Sequence, residues 1–137
     1  MRPLGNLDDY VGLPWLERGR DRDGLDCWGL LALVYAERLG IPLPSYRDDY
    51  QTLADANAVV ALIAGHMDPW KSIVAGEERA GDALLMSVGG RPRHVGLVAA
   101  PSLVLHIERG AGSLIENYHS MRLRRRVLGF YRHESLT

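Results

Sequence analysis

The chain is poor in cysteine, with a single one, Cys27, among 137 residues. One thiol cannot close an internal disulfide, and a four-cysteine zinc site is excluded with it. Long apolar runs are missing too: no stretch approaches the roughly 20 residues that a membrane-spanning helix needs. The opening MRPLGNLDDYVG lacks the apolar core of a secretory leader, so Sec export is not expected. There is no excess of one charge, and a formal net charge of −1 leaves no global electrostatic footprint for nucleic acid. No internal repeat or low-complexity segment interrupts the chain. What is present is an ordinary globular composition, 47% hydrophobic and 24% charged. The length suits one domain with one core, so a single domain over 1–137 is expected.

Along the chain, ERGRDRDG (17–24) reads as a charged, solvated loop. A helix follows, with Asp26 as its N-cap and Leu30, Leu31, Val34, Tyr35 and Arg38 at helical spacing. Gly40 and Pro42 form its stop signal. A second helix is expected over about 52–65, and Trp70 in the connection after it is expected to pack. From residue 81 the texture changes. GDALLMSV, RHVGLVAA, SLVLHIER, SLIENYHS and RRRVLGFYRH are five short segments separated by turn formers, the pattern of an antiparallel meander. Helices first and strands second argue for an α+β domain with the helices on one face of the sheet.

Cys27 sits at the front of the first helix, where unpaired amide N–H groups and the helix dipole favour a thiolate. Asp26 beside it works in the opposite direction. Position alone leaves three roles open: inert core thiol, metal ligand and nucleophile. Of the five histidines, His94 and His106 fall on consecutive strands. They face each other directly if the turn is centred on Ala100, which requires an odd-length loop. An even-length loop puts them on opposite faces. On the sheet face that receives the helix they would give Cys–His–His, with one imidazole as base and acid and the other orienting it. The same set is the raw material of a metal site, although no short ligand pair accompanies it. His66, His119 and His133 lie beside turns or strand ends and read as solvated or capping residues. The run RLRRR (122–126) reads as the polar edge of a strand.

The stretches GLPW (12–15), DCWGL (26–30), GDALLM (81–86), RHVGLV (93–98) and VLHI (104–107) together resemble the NlpC-type family of papain-like cell-wall cysteine peptidases. The resemblance implies a papain-like α+β fold, with N-terminal helices packed on a five- to six-stranded antiparallel sheet. It implies Cys27 as nucleophile, His94 as general base and acid, and His106 as the residue that orients it, with no metal and no cofactor. Asp26 and the position of Trp28 would border the substrate, with Trp15 a second donor to the oxyanion. Two departures stand out: Trp15 replaces the family's tyrosine, and Trp28 replaces its serine. A tryptophan has an N–H donor but no acceptor. DCWGL, ERLGIPLP and LGFYRH resemble the phage subgroup of the family, small peptidases encoded among tail-assembly genes. That subgroup implies a stem-peptide substrate, tail-tip partners, and a location in the virion tail or, during assembly, the bacterial cytoplasm. A contrasting expectation is a structural tail-tip subunit that keeps the fold with little hydrolysis, Trp15 and Trp28 forming its docking surface.

Overall fold

The structure is a computed structural model and describes residues 4–47 and 69–136. The expected second helix and His66 lie outside the described residues. Near the N-terminus a 3₁₀ turn, Asp8–Tyr10, leads into a short hairpin of β1 (Arg20–Asp21) and β2 (Gly24–Leu25). The helix α1 spans Cys27–Val34 and continues as a π-helical turn over Tyr35–Leu39. Gly40 ends it in the left-handed conformation, φ 67°, which only glycine adopts without strain. The stripe read from the sequence is the buried face: Leu30, Leu31, Val34 and Tyr35 are all covered.

Six strands follow: β3 (Trp70–Ile73), β4 (Ala83–Val88), β5 (Arg91–Ala100), β6 (Leu103–His106), β7 (Leu114–Asn117) and β8 (Val127–His133). They form one antiparallel sheet in the order β3-β8-β4-β5-β6-β7. The five segments expected as strands are β4 to β8, and the meander holds from β4 to β7. The last strand departs from it. β8 returns across the sheet to the free edge of β4, and β3 adds outside it. Trp70, expected only to pack, opens β3 and is wedged between Trp28, Tyr35 and His133.

Each face of the sheet has its own core. On one, Val95, Leu97, Leu105 and Ile107 pack with Cys27, Trp28, Leu30 and Leu31 of α1. On the other, Leu84, Met86, Val98 and Val104 pack with Tyr118, Leu123 and Phe130. Residues alternate between the faces along each strand. Segment 118–126, between β7 and β8, therefore covers the face that α1 leaves bare. Burying each large side chain in these layers contributes about 1.5–3 kcal/mol.

The charged loop 17–24 is a hairpin tucked against the first turn of α1. Glycine makes that approach possible: a Cβ on Gly29 would stand 2.0 Å from the Gly19 carbonyl oxygen. Arg20 and Asp26 pair where the hairpin meets the helix, at 2.7 Å. Asp82 and Arg132 form a second buried pair, bidentate at 2.8 Å, which ties β4 to β8.

Candidate active site

Asp26 caps α1 as expected. Its Oδ1 accepts the Gly29 N–H at 2.8 Å and the Arg20 guanidinium at 2.7 Å, and its Oδ2 accepts the Arg18 N–H at 3.2 Å. The carboxylate is thus turned into the hairpin and the helix amides, and is almost fully buried. Cys27 follows it at 3% exposure. The backbone amides of Val95 and Trp28 lie near its sulfur and favour negative charge there. Burial is the largest influence on this thiol and the Asp26 charge the next; together they outweigh the two amides and Arg20 and push it up to about 12. The resting group is the neutral thiol. The helix-terminus argument for a thiolate is overruled by desolvation.

Val95 is the residue after His94, so the sulfur meets β5 at the backbone next to that histidine. The β5–β6 pairing runs from Ala100 to Leu97, opposite Leu105, and the Val95 amide lies beyond it, near the thiol.

His94 and His106 are together: His94 Nε2 lies 2.8 Å from His106 Nδ1, with both rings buried. The route to this contact differs from the one expected. The hairpin loop is Pro101-Ser102, an even length, which alone would separate the histidines onto opposite faces. A bulge between Val98 and Ala100 shifts the register by one and restores the shared face. Val98 pairs with Val104, so His106 falls opposite Gly96 and His94 on the diagonal, not directly opposite. Gly96 keeps that space clear, since a Cβ there would stand 3.1 Å from the His106 Cβ and 2.6 Å from Val104. A second expectation fails outright. The histidines share the face of Val98 and Val104, away from α1, because Val95, Leu97 and Leu105 between them hold the helix side. Cys27 packs with the core on the helix side, and its sulfur lies near the Val95 backbone.

Behind the histidines stands a charged cluster that the sequence did not reveal. His106 Nε2 contacts Glu116 Oε2 at 2.5 Å. Arg122 donates to both oxygens of Glu116, at 2.9 and 2.7 Å, and to Glu108 at 2.8 Å. Arg126 pairs with Glu108 at 3.0 Å. The basic run is therefore no strand edge; it lies in the covering segment, and two of its arginines clamp two glutamates. Glu108 is held down to about 2, its burial being overcome by the two arginines, and Glu116 is lowered, chiefly by Arg122. Burial drives His94 down to about 3, reinforced by His106, and lowers His106 although Glu116 pulls the other way. His106, Glu108 and Glu116 bring donor atoms within 4.8 Å of one another, a spacing that suits a cation. Two guanidinium groups already supply the positive charge there.

The other residues singled out from the sequence are placed as follows. Trp28 is 1% exposed; its N–H donates to the Pro44 carbonyl at 2.8 Å and its ring meets Tyr46 and Trp70. Trp15 is half-buried and bridges to Leu25 beside the helix start. His119 is exposed. His133 is buried against Trp70 and Tyr35, and its Nδ1 accepts the Ser135 N–H, so it caps as expected but is not solvated.

Comparison with known proteins adds to this geometry. The curated murein DD-endopeptidase MepS/murein LD-carboxypeptidase of Escherichia coli K12 is 23% identical over 116 residues, covering 85% of this chain and 53% of that protein. The chain thus spans about half the length of that relative. Among solved structures, the NlpC/p60 domain of the peptidoglycan hydrolase SagA superposes with a TM-score of 0.60 at 19% identity, covering 90% of this chain and 89% of that one. An NLP/P60-family lipoprotein-like protein of Staphylococcus aureus gives 0.63 at 22% identity, over 91% of this chain and 38% of that one. The sequence profile of the NlpC/P60 family matches residues 12–132, and the chain belongs to that family of cell-wall peptidases.

Proposed function

We propose that the protein is a cysteine endopeptidase that hydrolyses peptidoglycan stem peptides, with Cys27 as nucleophile, His94 as general base and acid, and His106 orienting His94. The observation that carries this reading is the buried His94–His106 contact on the strand whose next amide, at Val95, lies near the Cys27 sulfur. Proton transfer from the neutral thiol to the neutral imidazole accompanies attack of sulfur on the amide carbonyl. The oxyanion that forms is stabilised by the Cys27 N–H in the first turn of α1, with the Trp15 indole as second donor. The imidazolium then protonates the leaving amine as the C–N bond breaks. Water, losing a proton to His94, hydrolyses the thioester and restores the thiol. The scissile bond in this reading joins γ-D-glutamate to a diamino acid, and the setting is a phage or prophage tail, with tail-tip proteins as partners. The sequence motifs shared with the phage subgroup support that setting.

One observation favours a second reading, a tail-tip subunit that has kept the fold without hydrolysis: the thiol is buried and strongly held in its protonated form. Trp28 lies in the core, so a docking surface in that reading falls to Trp15. Incubation with purified sacculi separates the two. The peptidase reading expects release of cleaved stem peptide by the wild type, and none by Cys27→Ala or His94→Ala. No release at any pH from about 5 to 9 favours the structural subunit.

A further inference from the structure

The hydrogen bonds behind His94 have a direction, and one residue outside the triad sets it. An ionised carboxylate accepts hydrogen bonds and cannot donate them. The 2.5 Å contact between Glu116 and His106 therefore requires the His106 proton on Nε2. A neutral imidazole with its proton on Nε2 has a bare Nδ1. At 2.8 Å from that nitrogen, His94 Nε2 must be the donor. Neutral His94 is then left with a bare Nδ1, a lone pair on the ring atom not engaged with His106. Without the carboxylate, the two rings could hold their protons in the opposite order, with Nδ1–H on His94 and no base to offer.

We infer that Glu116, clamped by Arg122, is a positioning residue that fixes the proton order of the His106–His94 pair and so leaves His94 Nδ1 as the base. The inference rests on the reading of His94 as the general base. Three features support it. Arg122 engages both oxygens of Glu116, which keeps the carboxylate ionised and aimed. Burial keeps His106 neutral, and protonation at its Nδ1 would turn that atom into a donor and reverse the order. The charges of Glu108, Glu116, Arg122 and Arg126 cancel, so the cluster adds direction to the site and no net charge. In Glu116→Gln one of the three N–H groups that meet the carboxylate, from Arg122 Nε, Arg122 Nη2 and His106 Nε2, faces an amide NH2 in place of an oxygen, and the negative charge that holds the proton on His106 Nε2 is gone. The single proton order is then lost while size is kept.

The test is ¹⁵N NMR of the imidazoles, read beside kinetics. In the wild type His94 and His106 are expected to carry their protons on Nε2. In Glu116→Gln, His94 is expected to shift to the Nδ1–H form or to a mixture. Its kcat on a stem peptide should fall roughly 100-fold or more, with KM nearly unchanged, because the base and not the binding is impaired. Nδ1–H on His94 in the wild type overturns the inference, whether or not the variant folds. So does a Glu116→Gln protein with unchanged tautomers and turnover. A wild type with the expected tautomers but no cleavage leaves the proton order standing and defeats the peptidase reading alone.

Discussion

At the scale of the residue, the site is decided by how burial weighs against local charge. Cys27 has two amides near its sulfur and the start of a helix behind it, the usual means of making a thiolate. Both are outweighed, because the sulfur is removed from water and the Asp26 carboxylate is its neighbour. Asp26 cannot be dispensed with on that account, since it caps α1 and neutralises Arg20. In the proposed mechanism the thiol therefore needs a base that receives its proton during reaction, not a standing ion pair. Iodoacetamide labelling of the folded protein should accordingly rise about tenfold per pH unit through pH 9 without levelling off. A plateau near pH 6 to 7 would reveal a preformed thiolate and contradict the assignment. Trp28 shows the same weighing in another form. It stands where the family has serine, but its ring is core and its N–H is bonded to Pro44. The substitution changes packing under the helix start.

At the scale of the element, the β5–β6 hairpin matters most. Its two-residue loop and its bulge each reverse the facing of the histidines, and only together do they put both on one face. Deleting Ala99, the extra residue of the bulge, should give a plain two-residue hairpin in which Val98 still pairs with Val104. His106 then stays opposite Gly96 on the face of His94, and cleavage should be retained. Loss of the imidazole contact and of cleavage in a variant that keeps its sheet-like far-UV circular dichroism would show that this register does not set the facing. This hairpin also marks what the sequence discloses and what it hides. The strands were legible because turn formers bracket apolar runs, and the start and stop of α1 were legible from Asp26 and Gly40. The shared histidine face was anticipated, but through an odd loop that does not exist, since a bulge leaves no mark in one sequence. The choice of face is not legible in the sequence, because the helix touches Val95 and Leu97, the residues between the polar positions. Glu116 carries no sequence signal for a similar reason: its importance comes from a β6–β7 register that sets it opposite Val104 and within reach of His106. The return of β8 to β4 is a long-range pairing that local pattern cannot encode.

At the scale of the whole molecule, a buried network of neutral histidines and paired carboxylates makes the fold sensitive to acid. His94, His106 and His133 all titrate lower in the fold than their ordinary value, because burial opposes their charged form. The unfolded chain therefore takes up protons first as pH falls. The stability these groups contribute is complete above about pH 6.5 and is lost as pH drops towards their folded values. His94, held down to about 3, accounts by itself for about 2 kcal/mol of loss between pH 7 and 5. Glu108 and Glu116 are also lowered, so their contribution is present above about pH 4.3 and disappears below it. Urea unfolding should give a clearly lower midpoint at pH 5 than at pH 7, and a further fall below pH 4. Equal midpoints at pH 7 and 5 would mean that the histidine pair is solvated, and would remove the closed site on which the mechanism depends.

The central claim is that the one thiol of this chain becomes acylated by a stem peptide. Intact-mass spectrometry after acid quenching of a stem-peptide reaction tests it most directly. The account predicts a transient acyl adduct that maps to the peptide containing Cys27, disappears at neutral pH as free acid is released, and is absent from Cys27→Ala. No adduct and no cleaved peptide, from a protein whose Cys27 is alkylated only after unfolding, would contradict it.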